Sequence, residues 1–99
     1  MSGLDEIQAL TTSIGEFSLD TIGKSKLRGL RVTLDPRSLN AEMVIVLKKN
    51  TDSQQKSVLR SLFEVERVFA DDAVLSYHFA DDLVDDEATL GMVPLFSYA

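Results

Sequence analysis

Residues 53–69 read SQQKSVLRSLFEVERVF, and the spacing inside this run decides how the rest of the chain is organised. Val58, Leu62, Val65 and Phe69 follow one another at four, three and four residues, so a 3.6-residue period stacks them along one side. Lys56, Arg60, Glu64 and Arg67 fall on the opposite side, as in a helix lying on an apolar layer. Thr51 with Gln54, or Asp52 with Gln55, supplies a capping start. Asp71 and Asp72, both poor helix formers, end the run. Each of the four apolar side chains contributes about 1.5–3 kcal/mol when fully buried, so the helix requires a layer beneath it.

Working outward, that layer is a sheet. Upstream, residues 42–49 (EMVIVLKK) form the strongest strand pattern in the chain. Met43, Ile45 and Leu47 face one side, while Val44 and Val46 make the other side apolar too, so this strand is expected to be covered twice. Residues 30–34 alternate, with Leu30, Val32 and Leu34 opposite Arg31 and Thr33. The intervening Asp35-Pro36-Arg37-Ser38 has turn chemistry and makes the two strands an antiparallel hairpin. Downstream, residues 73–80 (AVLSYHFA) alternate again, Leu75, Tyr77 and Phe79 against Val74, Ser76 and His78. A right-handed crossover through the helix sets this third strand parallel to the second.

At the start, Leu4, Ile7, Leu10 and Ile14 share a helical face, with Gly15 as the expected stop. Residues 16–29 contain Phe17, Leu19 and Ile22 but two glycines, and read as an irregular connection that tucks those three side chains into the core. The order helix, strand, strand, helix, strand predicts an α+β domain: an open three-stranded sheet with helices on one face. In element order alone it resembles a split-βαβ, ferredoxin-like half-fold, and such a likeness implies no function.

Ninety-nine residues suit one domain, divided as an N-terminal helix and connection (1–29), a hairpin-helix-strand core (30–80), and an acidic bridge with an apolar tail (81–99). Without cysteine, thiolate metal sites, disulfides and cysteine nucleophiles are excluded. No apolar run reaches the roughly 18–20 residues that span a bilayer, and MSGLDEIQ lacks the basic start of a signal peptide. The expectation is a cytoplasmic protein off the membrane. The net charge of −6 makes nucleic acid an unfavoured partner, because phosphate neutralisation drives that binding. The charge is unevenly spread: all ten Lys and Arg residues lie within 24–67, and the seven acids from residue 70 onward have no basic neighbour in that tail.

Five features bear on function. Lys24, Lys26, Arg28 and Arg31, in KSKLRGLR, could contact an anion or an acidic partner, or simply protect a wet strand edge; no GXXG loop accompanies them. The acid pairs Asp71-Asp72, Asp81-Asp82 and Asp85-Asp86-Glu87 could assemble a hard-cation site, though EF-hand spacing is absent and solvated acids give the same pattern. His78, the single histidine, has no nameable catalytic partners. Glu66 falls at an angle near Leu62 and Leu59, at the rim or paired with Arg28 or Lys48. No glycine-rich phosphate loop, GxSxG or HExxH occurs, so no enzyme and no cofactor are expected.

The fifth feature is apolar. A sheet with helices on one face leaves its other face bare, and here that face carries Val44, Val46 and Val74. Leu90, Met92, Val93, Leu95, Phe96 and Tyr98 make the tail apolar as well, which a disordered tail normally is not. Exposed apolar patches mark contact sites. The tail is expected to cover its own sheet or to cross to another chain. The leading expectation is therefore a non-enzymatic protein–protein interaction or assembly module, self-associating (a homodimer) or docking on a larger partner. The alternative is a small regulatory domain that senses a ligand or divalent cation.

Overall fold

The structure, a computed structural model, describes residues 3–49, 51–81 and 95–98. Its elements are α1 (Gly3–Ile22), a 3-10 turn (Lys24–Lys26), β1 (Leu27–Leu34), β2 (Asn40–Leu47), α2 (Asp52–Val68), β3 (Val74–Phe79) and β4 (Leu95–Tyr98). The α+β class follows from these elements. Among the described residues the sheet has four strands, not the expected three, in the order β3-β2-β1-β4.

Helix α2 forms where the spacing of its apolar residues places it. Thr51 caps it, its Oγ1 accepting from the Gln54 N–H at 3.3 Å, which satisfies one of the orphan donors at a helix start. Val58, Leu62 and Val65 are fully buried and Phe69 nearly so. They meet the sheet face built from Leu30, Val32 and Leu34 of β1, Met43, Ile45 and Leu47 of β2, and Leu75 of β3. Both helices pack on this face, as the hairpin-and-crossover reading requires.

Helix α1 is longer than expected. It runs through Gly15 and contributes Ile14, Leu19 and Ile22 to the same core. The residues that obscure its period are Thr11 and Ser18, both fully buried on its inner face. Each hydroxyl is satisfied within the helix, Thr11 Oγ1 donating to the Ile7 carbonyl at 2.8 Å and Ser18 Oγ to the Ile14 carbonyl at 2.6 Å. Paired in this way, they escape the penalty of burying a polar group alone. The stop is Gly23, at φ 96°, where a residue with a Cβ would be strained; its N–H closes the helix onto the Leu19 carbonyl at 2.9 Å.

β1 and β2 are antiparallel, with Leu30 opposite Ile45 and Leu34 opposite Ala41. The register shifts between Leu27 and Gly29, so Arg28 is the extra residue of a bulge. β3 pairs directly and in parallel with β2, from Asn40↔Val74 to Ile45↔Phe79. The βαβ unit is therefore not split: no strand lies between β2 and β3, and a ferredoxin-like arrangement is not what forms. The physical reason is that the hairpin occupies one edge of β2 and leaves the other for β3. β4 takes the remaining edge of β1, antiparallel, with Val32 opposite Phe96 and Leu30 opposite Tyr98.

Among the described residues no helix is long and apolar enough to cross a membrane.

Candidate functional site

The second face of the sheet is the surface on which the functional expectation rests. The registers lay it out as transverse rows. One row runs Ser97, Arg31, Val44, His78; the next runs Leu95, Thr33, Glu42, Ser76; and Asn40 stands beside Val74. This face is more polar than β2 alone suggests, because β1 and β3 contribute Arg31, Thr33, Ser76 and His78 around the valines.

The three valines differ in what they expose. Val46 is 1% exposed although its neighbour across the ladder is Gly29, which has no side chain to shield it. Val44 is half-buried, and Val74 is 62% exposed. Val46 thus has no surface to present to a partner, and an aspartate there would be a buried charge that unfolds the chain rather than a probe of contact. Val74 does present one. Of the tail residues, Leu95, Phe96 and Tyr98 lie in β4 and are half-buried. Phe96 and Tyr98 face the helices and join the main core, so this part of the tail extends the sheet at its edge. Leu90, Met92 and Val93 lie outside the described residues.

Val74 has an apolar neighbour that its strand pattern does not reveal. Its N–H donates to the carbonyl of Leu39 at 2.9 Å. Leu39 closes the β1–β2 turn, its own N–H bonded to the Asp35 carbonyl at 2.8 Å, and it does so at φ 59°. That left-handed conformation is costly for a leucine, and Leu39 still leaves 37% of its surface exposed. The turn itself is held at its other end by Asp35, whose Oδ1 accepts the Arg37 N–H at 2.8 Å. That backbone donor holds the Asp35 carboxyl below its ordinary value.

Among the described residues β3 is an edge strand. The Val74 N–H and the Ala80 N–H both turn inward, to the Leu39 and Ile45 carbonyls. The alternation of a strand then turns the backbone groups of Leu75, Tyr77 and Phe79 outward. Among the described residues no strand pairs with that outer edge. The usual guards of an edge are missing from it too, since VLSYHF contains no Lys, Glu or Pro.

The basic residues 24–31 do not form one patch. Lys24 lies 5.9 Å from the centre of the Tyr98 ring, within cation–π range. Lys26 Nζ donates to Ser57 Oγ at 3.1 Å. The Arg28 guanidinium donates to the Asp81 carbonyl, and Arg31 sits mid-sheet on the second face between Val44 and Ser97. Glu66 is exposed at the rim of α2, where its charge acts on Tyr77. His78 is exposed. Asp71 and Asp72 are exposed as well, and among the described residues no group of three or more His, Asp or Glu converges on a point that could hold a metal ion. Asp82, Asp85, Asp86 and Glu87 lie outside the described residues.

No family model matches this chain. No curated protein and no solved structure resembles it at a significant level. The functional reading therefore rests on the residues alone.

Proposed function

We propose that this chain is a non-enzymatic protein–protein interaction or assembly module whose contact surface is the outer edge of β3 with Leu39 and Val74 beside it. The observation that carries this reading is Leu39. An exposed leucine in a left-handed turn position forgoes stability twice, once in backbone strain and once in unburied apolar surface, while asparagine or glycine would meet the demands of the turn at lower cost. Strain of this kind concentrates where a side chain serves a contact. Val74 continues the apolar surface, and the outward backbone groups of Leu75, Tyr77 and Phe79 offer an added strand its hydrogen bonds.

The version that the chain can display alone is self-association by pairing of two β3 edges, a two-fold contact in which each copy presents the same strand. The same edge would serve for docking on a larger partner. Sedimentation velocity of the full chain tests it, with Val74→Asp alongside. Because Val74 is exposed, the variant is expected to fold, as judged by an unchanged circular dichroism spectrum. The wild type is expected to gain sedimentation coefficient with concentration, and the variant to stay at the monomer value. Identical concentration-dependent behaviour of the two proteins would place the contact elsewhere.

The alternative, a regulatory domain sensing a ligand or divalent cation, draws no support from Asp71 and Asp72, which stand in solvent without a third ligand among the described residues.

A further inference from the structure

At the end of the sheet opposite Leu39 and Val74, the antiparallel hairpin brings together lysines from distant parts of the sequence. The Lys48 N–H donates to the Lys26 carbonyl at 3.0 Å, so the residues leaving β2 lie beside those entering β1. Ser25, Lys26, Lys48, Lys49 and Gln54 line a cleft of about 250 Å³ there. Lys26 is half-buried and its ammonium is held in place by Ser57 Oγ at 3.1 Å. Lys48 and Lys49 are exposed at the mouth. Among the described residues no acid lines the cleft, and none of these three lysines makes an ion pair. Asp52, in the first turn of α2, is exposed and is not part of the wall.

In a chain of 16 acids and 10 basic residues, three lysines lining one cleft with no carboxylate beside them among the described residues is an arrangement that self-repulsion disfavours. We infer that this cleft binds a compact phosphoryl oxyanion. The polar groups that the lining residues carry are donors: three lysine ammoniums, the Ser25 hydroxyl and the Gln54 amide. A phosphoryl group, an acceptor on every terminal oxygen and a dianion near neutral pH, uses such donors fully, and lysine binds it as a point charge. The size narrows the choice. Pockets for drug-sized molecules run to roughly 300–1,000 Å³, so this one, just below that range, takes a phosphoryl group with a small moiety attached. An extended nucleic acid is disfavoured by the net charge of −6 and by the absence of any aromatic platform in the wall. The site shares no residue with the proposed contact edge, and Leu39 and Val74 lie roughly 30 Å from it along β2 at about 3.3 Å per residue, so one can fail while the other stands.

The test is a titration of isotope-labelled full chain, followed by amide chemical shifts, with sodium phosphate against sodium chloride at matched ionic strength. Saturable shifts confined to Ser25, Lys26, Lys48, Lys49 and Gln54, seen with phosphate and not with chloride, are the expected result. Lys48→Gln combined with Lys49→Gln alters two exposed side chains, so the fold persists, and phosphate affinity should fall at least about tenfold with the loss of two charge-assisted contacts. A phosphoserine peptide and O-phosphoserine itself form the second arm. Tighter binding of the peptide assigns the phosphoryl group to a modified partner protein, and equal binding assigns it to a small phosphorylated ligand. Shifts that track ionic strength alike in both salts, or that survive unchanged in the double variant, would overturn the inference.

Discussion

The ring of Phe96, from the last strand, occupies the space that a Cβ on Gly15, in the middle of the first helix, would need. Glycine inside a helix ordinarily costs about 1 kcal/mol relative to alanine. Here its missing side chain lets β4 close against α1, and the Gln8 side-chain amide adds a 3.2 Å hydrogen bond to the Leu95 carbonyl. Gly15→Ala should therefore destabilise the chain, by up to about 2 kcal/mol, since overpacking outweighs the gain in helix propensity. In a Phe96→Ala background the same change should stabilise, by up to about 1 kcal/mol. Urea unfolding of the four proteins measures both signs, and a Gly15→Ala effect that is independent of residue 96 would refute the packing account.

Leu39 makes a second prediction with opposed readouts. Asparagine tolerates its φ of 59°, so Leu39→Asn should raise monomer stability by about 1 kcal/mol through relief of backbone strain. The same substitution should weaken self-association, because it removes an apolar contact beside Val74. Thermal unfolding at low concentration reads the first effect and sedimentation the second. A variant that gains stability without losing association would separate Leu39 from the interface.

Tyr77 supplies a prediction in pH. Burial holds its hydroxyl above the ordinary 10.0, and the Glu66 carboxylate pushes in the same direction. The folded chain therefore keeps a proton that the unfolded chain releases first. Stability should fall as pH rises from about 10 toward the folded pKa. Glu66→Gln should lower the phenol titration, followed by ultraviolet absorbance, without returning it to 10.0, because burial is the larger cause. No change in the variant would mean that Glu66 does not act on this ring.

Much of the fold is legible from local pattern. Val58, Leu62, Val65 and Phe69 announce α2; Met43, Ile45 and Leu47 announce the helix-facing side of β2; and the crossover rule gives the parallel direction of β3, though not its place directly beside β2. What local pattern misses is what distant residues decide. Gly15 reads as a stop until Phe96 is known to fill its notch. Thr11 and Ser18 interrupt the apolar stripe of α1 because their hydroxyls are satisfied within the helix, which composition does not show. β4 is four residues long, and its place beside β1 depends on an edge some sixty positions earlier in the chain.

The site is less legible than the fold. The valines of β2 suggest an apolar second face, yet Arg31, Thr33, Ser76 and His78 come from strands whose register a single sequence does not reveal. Leu39 follows an ordinary turn motif, and neither its left-handed backbone nor its exposure is written in its residue type. Lys48 and Lys49 read as the polar end of a strand until the hairpin sets them beside Lys26.

Amide hydrogen exchange along β3 tests the central claim most directly. In dilute solution the N–H groups of Leu75, Tyr77 and Phe79 should exchange quickly, while those of Ser76 and His78, turned toward β2, remain protected. On concentration into the associated state the first three should become protected and the others change little. Protection of Leu75, Tyr77 and Phe79 already present in the dilute monomer, or none gained on association, would contradict an open strand edge that receives a partner.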